Sequence, residues 1–271
     1  MNTQKTKMPA RTLGIIGFGA FGQLAAQHLR AHFNVMVYDP ADHLEAKARG
    51  LGVAFLPMTL VAQCETVIIA APISCFEQVT RDLAKVCRPG ALVIDVGSVK
   101  VRTAEIMERL LPDTVDVVAT HPLFGPQSAV DGIAGLKIAL CPLRGRRHTR
   151  LAAFLRKSLG LNVVVTTPDA HDREAATVQG LTHLIAKVLH RMGPLPSRMT
   201  TKSFDLLTQA VSMVQSDAPE VFDAIEKENP YSREVREQFF ALAQDLSLEL
   251  DRPEREEAHP AVIEPRFLPA A

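Results

Sequence analysis

Three features of this sequence predict an α/β fold: a doubly wound, mostly parallel Rossmann-type sheet followed by a smaller all-helical second domain. Short apolar runs alternate with amphipathic stretches between residues 12 and 166. A complete G-x-G-x-x-G sits between the first apolar run and the first amphipathic stretch. After Pro168 no strand-like run remains, and apolar residues recur only at helical spacing.

The first strand is Thr12 to Ile16, running into Gly17-Phe18-Gly19-Ala20-Phe21-Gly22. Each glycine has a physical task. Gly17 makes the tight turn, Gly19 lets the backbone approach a pyrophosphate, and Gly22 lets helix and strand pack closely. The helix that follows carries Leu24, Ala25, His28 and Leu29 on one face and points its free N–H groups at the phosphates. A second strand, Asn34 to Tyr38, ends at Asp39, about 20 residues beyond the first glycine, where an acid accepts from the adenosine ribose hydroxyls. Asp39 repels a 2′-phosphate, and Pro40-Ala41-Asp42 supply no Arg to hold one, so the expected cofactor is NAD, with NADP disfavoured.

Val67 to Ala71 reads as the next strand, ending at Pro72, and Phe76 to Val86 as a helix. Pro89-Gly90 turns the chain into the buried strand Ala91 to Val96. Gly97-Ser98-Val99-Lys100 opens a helix to Leu110, stopped by Pro112. Val115 to Ala119 is a strand leading into a Pro- and Gly-boxed loop that carries His121. Leu136 to Leu140, a helix from Arg147 to Leu159, and Val163 to Thr166 complete the sheet region. Beyond Pro168 one long helix is expected over Asp169 to Met192, broken by Gly193-Pro194-Leu195-Pro196, then helices over Arg198 to Val214, Pro219 to Glu228, and from Pro230 to Leu250. The implied organisation is a polar leader, 1–10, a dinucleotide-binding domain, 11–167, a helical domain, 168–250, and a Pro- and Glu-rich tail, 251–271, with leader and tail expected to be disordered.

Lys+Arg and Asp+Glu both number 30, which argues against nucleic acid or a membrane surface as the main partner. No apolar run approaches the length of a membrane span, and the first ten residues lack the apolar core of a signal peptide. The four cysteines form no C-x-x-C pair, which fits reduced, mostly buried thiols in a cytoplasmic protein and leaves no zinc-ligand spacing, so no metal is expected.

Ligands of doubly wound sheets bind beyond the carboxyl ends of the strands. Ala71, Pro72, Ser98 and His121 all lie at such ends, so the dinucleotide is expected to contact the glycine loop from Gly17 to Gly22 together with Asp39, Ala71, Pro72 and Ser98. A His in a rigid strand-end loop has the chemistry of a general base near neutral pH, and Ser98 offers a hydroxyl partner. Ser98 equally suits a helix N-cap. Gln179 and His183 stand four residues apart on one helix face, and Asp172 lies early in that helix, where it complements the helix dipole.

In order along the chain, Gly17-x-Gly19-x-x-Gly22, Asp95-Val96-Gly97-Ser98-Val99-Lys100, Thr120-His121-Pro122-Leu123-Phe124-Gly125-Pro126, and His171-Asp172 followed by Gln179 and Thr182-His183 resemble the prephenate/arogenate dehydrogenase family of tyrosine biosynthesis, over roughly residues 11 to 250. Thr201-Lys202-Ser203-Phe204 resembles the plant arogenate dehydrogenase branch. The resemblance implies oxidative decarboxylation of a cyclohexadienyl alcohol, with hydride passing to a nicotinamide, His121 as base and Ser98 orienting it. It also implies a substrate face built from Ser98, His121, Asp172, Gln179, His183 and Lys202, and a homodimer formed through the helical domain. Lys202 stands where many prephenate-branch members carry an Arg, which leaves the carboxylate anchor open among Lys202, Arg198 and Lys100. Asp172 beside the substrate would favour the ammonium of arogenate over the keto group of prephenate. Two other readings remain: a two-domain hydroxyacid dehydrogenase or imine reductase, and a nucleotide-binding regulatory protein without turnover.

Overall fold

The computed structural model describes residues 11–215 and 217–252; the expected leader, 1–10, and the expected tail from residue 253 lie outside the described residues. Eight strands form one sheet: β1 (Thr12–Ile16), β2 (Asn34–Tyr38), β3 (Ala54–Phe55), β4 (Thr66–Ile69), β5 (Leu92–Asp95), β6 (Asp116–Pro122), β7 (Lys137–Arg144) and β8 (Asn162–Val165). Their order is β3-β2-β1-β4-β5-β6-β7-β8. The first six run parallel, and β7 pairs antiparallel with β6 and parallel with β8, so the last two strands are reversed.

Alternating side chains cover both faces of this sheet. Leu13, Ile15, Ile68, Ile94 and Leu140 point into one apolar layer, roofed by α1 (Ala20–Leu29) and α6 (His148–Lys157). Ile16, Ile69, Val93, Val117 and Ala119 point into the other, against Phe76 and Leu83 of α4 (Ile73–Val86) and Ile106 and Met107 of α5 (Val101–Leu110). Two short helices, α2 (Glu45–Leu51) and α3 (Met58–Val61), flank β3. The region 45–61 carries no strong periodic signal because these elements are only two to seven residues long.

Among the described residues, the elements after Pro168 are helical: α7 (Pro168–Ala175), α8 (Leu181–Arg191), α9 (Lys202–Gln215), α10 (Pro219–Asp223) and α11 (Ser232–Leu250). The single helix expected over 169–192 is α7 and α8 joined by a π-helical turn, Ala176–Gly180, and a second π turn, Ala224–Glu228, continues α10. By packing, the described residues divide into one unit that ends at Arg236 and a second that starts at Glu237. The described part of the second unit is mainly the remainder of α11, where the Phe239 and Phe240 rings meet edge-on at 5.5 Å. Among the described residues no helix is long and apolar enough to cross a membrane.

The strand carrying His121 is longer than expected. β6 continues to Pro122, because the antiparallel β7 sets Ala139 opposite His121 and Ile138 opposite Pro122. His121 is therefore held by strand pairing and not by a proline-boxed loop. Beneath it, β5 and β6 are clamped by a buried polar knot. Lys100 Nζ pairs with Asp95 Oδ2 and donates to the Thr120 carbonyl oxygen at 2.6 Å. Thr120 N–H donates to Asp95 Oδ1 at 3.1 Å, and the Thr120 hydroxyl donates to the Asp95 carbonyl at 2.6 Å. Both charged side chains are wholly buried.

Removing one member of a buried pair strands the other charge, which costs about 3–5 kcal/mol. Lys100→Met is expected to destabilise the fold by roughly that amount. Equilibrium urea unfolding measures it; a loss under about 1 kcal/mol, the level of an exposed pair, would show that the knot is not a stability element.

Candidate functional site

At the carboxyl ends of β1 and β2, two glycines have no room for a side chain. A Cβ on Gly17, whose φ is +99°, would lie 2.5 Å from the Ala70 carbonyl oxygen, and one on Gly22 would lie 2.1 Å from the Gly17 oxygen. Gly19 differs: nothing lies within 4 Å of its Cβ position, so its backbone borders open space at the start of α1. No side chain caps that helix, which leaves its first N–H groups directed at the same space, the arrangement that binds phosphate. Asp39 stands just past β2. Its Oδ2 accepts from Phe18 N–H at 2.7 Å and its Oδ1 from Ala41 N–H at 2.9 Å, so the carboxylate is fixed over the glycine loop with lone pairs to spare. Ala71 and Pro72 follow β4, the strand beside β1, and Pro72 leads into α4. These residues fit a dinucleotide.

The second half of the site lies past β5 and β6. Ser98 is half-buried and makes no hydrogen bond among the described residues. It is not the N-cap of α5, which starts at Val101. That task falls to Asp172 from α7, 71 residues on: Asp172 Oδ1 accepts from Lys100 N–H and Oδ2 from Val101 N–H, each at 2.8 Å. Asp172 Oδ1 also accepts from His171 Nδ1 at 2.7 Å, and His171 Nε2 lies 2.8 Å from His121 Nδ1.

With both imidazoles neutral, the protons have one order: the Asp172 carboxylate only accepts, so His171 carries its hydrogen on Nδ1 and presents a lone pair on Nε2. His121 must then donate from Nδ1, which leaves its Nε2 with a free lone pair. The Gln179 side-chain nitrogen faces that atom at 3.5 Å. His121 is 4% exposed, and burial first, then the neighbouring His171 and Lys100, holds its pKa well below the usual imidazole value. The imidazole is therefore neutral at neutral pH and ready to accept a proton.

Two expected substrate contacts are redirected. Asp172 is wholly buried, and its oxygens are taken by three N–H groups, so it does not face a substrate side chain. His183 points into the helical layer: its Nδ1 donates to the Gln179 carbonyl oxygen at 2.9 Å, and its Nε2 faces Asp217 Oδ2 at 3.3 Å. Gln179 and His183 do lie close together, as spacing implied, yet only Gln179 reaches His121. Lys202, at the first turn of α9, is exposed and has no bond to this cluster. Lys100, one of the expected carboxylate anchors, is spent in the buried knot. Reading by residue type missed His171 as the link to His121; its signal was the His-Asp dipeptide at the start of a helix.

Gly19→Ala is expected to fold with an unchanged melting temperature and to lose dinucleotide binding. Gly22→Ala is expected to lose stability as well, since its Cβ meets rigid backbone. Thermal melts alongside cofactor titration separate the two; Gly19→Ala binding the dinucleotide as tightly as the parent would remove the phosphate role of this loop.

Comparison with known proteins bears on the whole arrangement. The prephenate dehydrogenase nucleotide-binding domain matches residues 25–167. Arogenate dehydrogenase 2, chloroplastic, of Arabidopsis thaliana is 29% identical over 92% of this chain and 73% of its own length. A probable arogenate/prephenate dehydrogenase of Methanocaldococcus jannaschii is 28% identical over 90% of this chain, which spans only 58% of that relative. Among solved structures, the prephenate dehydrogenase of A. aeolicus in complex with hydroxyphenyl propionate and NAD+ superposes with a TM-score of 0.72 at 22% identity, covering 90% of this chain and 92% of that one. The matched domain takes in just over half of the sequence and runs from within α1 to the end of β8, across His121 and the Asp95–Lys100 knot beneath it; the chain belongs to the prephenate dehydrogenase family.

Proposed function

We propose that this chain is an NAD-dependent arogenate dehydrogenase, oxidising the ring carbinol of arogenate with loss of the ring carboxylate as carbon dioxide. The observation that carries this reading is the hydrogen-bonded chain from Asp172 through His171 to His121, which, with both imidazoles neutral, leaves the lone pair on His121 Nε2. Gly17 to Gly22, Asp39, Ala71, Pro72 and Ser98 would hold the dinucleotide, which supplies the hydride acceptor when bound. His121 Nε2 takes the proton of the substrate hydroxyl. Ser98, whose hydroxyl is uncommitted, donates to the same oxygen. His171 and Asp172 act as positioning residues: the carboxylate, steadied at the N-terminus of α5, stabilises positive charge as His121 gains the proton.

Asp39 supports NAD over NADP through its charge and its place past β2. The choice of arogenate rests on the Thr201-Lys202-Ser203-Phe204 segment and on the A. thaliana relative; Asp172, committed elsewhere, no longer bears on it. Prephenate is the second reading, supported by the M. jannaschii relative, a probable arogenate/prephenate dehydrogenase. Arg198 and Lys202, both exposed, remain the candidates for anchoring a carboxylate. We also propose a cytoplasmic homodimer joined through the helices after Pro168, where Val188, Leu206, Leu207 and Met213 expose apolar side chains. Sedimentation finding only monomer at micromolar concentration would refute the dimer.

His121→Asn is expected to lower kcat by about 10²–10⁴, the usual range for a lost general base, with NAD affinity unchanged. Retention of half the turnover would exclude His121 as the base. Asp172→Asn breaks the order of protons and the helix cap, so kcat/KM should fall in equal proportion with arogenate and with prephenate; a loss confined to arogenate would return Asp172 to the substrate. The acid limb also follows from geometry. A base with a depressed pKa stays neutral as pH falls, so kcat/KM should hold its plateau below pH 6.5, the ordinary imidazole value, and decline only as pH crosses the lower pKa. A half-maximal point above 6.5 would contradict this. Steady-state rates with both substrates and both cofactors test the whole reading: efficiency with NADP tenfold above that with NAD would overturn the cofactor choice.

A further inference from the structure

Below the dinucleotide loop, on the face of the sheet that carries α1 and α6, the apolar layer is not filled. A cavity of about 550 Å³ lies there. Its floor is made by sheet residues such as Ile68, Leu92, Ile94 and Ile138, and its roof by Leu24 and Ala25 of α1 with Leu151 and Leu155 of α6. The volume falls within the range of about 300–1,000 Å³ typical of small-molecule sites. The cavity is partly open to solvent, so an apolar occupant would release water from its walls.

The two ends of the cavity differ chemically. Towards the carboxyl edge it stops at Phe21 of the glycine loop and Phe124, three residues past His121, whose ring centroids are 6.4 Å apart. At the amino edge it is rimmed by Arg11, Arg88, Arg147 and Arg150 against one acid, Glu65. Arg11, Arg88 and Arg150 are exposed and make no ion pair among the described residues. Arg147 is half-buried and donates to the Gly90 carbonyl at 2.8 Å and the Glu65 carbonyl at 3.3 Å, so it holds the rim together while keeping its charge unneutralised. A long apolar chamber ending in an excess of guanidinium groups is complementary to a molecule with an apolar body and one anionic head.

We propose that this cavity is a second ligand site, distinct from the dinucleotide and base, that takes an anionic amphiphile: a carboxylate on an aliphatic chain. The chain would lie along Ile68, Leu92 and Ile94 with its tip under Phe21 and Phe124, and the head would meet Arg11, Arg88 and Arg150. The reading does not depend on the reaction proposed above, and its test uses no turnover.

The test is calorimetric titration of the full chain, without cofactor, with decanoate below its micelle concentration, and with decylammonium and 1-decanol as controls of equal length. One saturable site for decanoate is expected, with decylammonium and decanol weaker by at least about tenfold, the factor expected for lost charge-assisted bonds. Arg88→Glu/Arg150→Glu, on the exposed rim, should fold as the parent does and weaken decanoate by a similar factor. Ala25→Phe, which fills the chamber from the roof, should abolish binding without touching the rim. Equal binding of the three amphiphiles, non-saturating uptake, or full decanoate affinity in both variants would each overturn the proposal.

Discussion

The carboxylate of Asp172 is the point on which the two halves of this molecule depend. It crosses from the first helix after the sheet to the start of α5, accepts both backbone N–H groups there, and holds His171 by its third bond. Such long-range capping does two things at once. It satisfies donors that would otherwise be orphaned in a buried place, and it fixes α7 relative to the loop carrying Ser98. The Asn229 side chain adds a bond to the Asp172 carbonyl at 2.9 Å, so the later helical segment is tied to the same residue. His121 is thus aligned by the same bonds that fasten the helices to the sheet.

Electrostatics at this site act by subtraction. Burial disfavours a positive charge on the His121 imidazole, and the neighbouring His171 and the fully buried Lys100 work in the same direction. Asp95 neutralises Lys100 locally and is itself bound by backbone N–H groups at Gly97 and Thr120. The result is an imidazole that stays neutral at neutral pH, hydrogen-bonded through His171 to the Asp172 carboxylate. The cost of burying these ions is offset by hydrogen bonds to nearly every polar atom of the pair.

Much of this was legible in the residues. The glycine loop, Asp39 and the alternation of strand and helix reflect local rules with short range, and β1 and β2 fall where the apolar runs begin and end. His121 and Ser98 could be placed at strand ends by the same logic. What could not be read was pairing across long separations. Nothing near His121 announces that β7 returns antiparallel and lengthens its strand, and nothing near Asp172 announces a helix N-terminus 71 residues earlier. The acid is visible in the sequence but its partners are not, so only the family resemblance and its place beside the Gln179–His183 face put it on the substrate. Lys100 was misjudged for a related reason: a lysine is expected at the surface, and only Asp95 and the Thr120 carbonyl make its burial tolerable.

The π turn over Ala176–Gly180 has a consequence for how the family's helical region tolerates change. Each residue of an α-helix advances its side chain by about 100°, and a π turn holds one residue more than the regular winding allows. Gln179 sits inside that extra residue's turn, whereas His183, four positions later, is already in regular α8. The turn lies between two faces: one keyed to the sheet through His171 and Asp172, the other to Asp217 in the helical layer. Removing the extra residue would restore regular α winding with the two flanks still in phase, because the π turn sweeps nearly the angle of one residue fewer, so a single deletion here should be tolerated where a deletion inside α7 or α8 would not be.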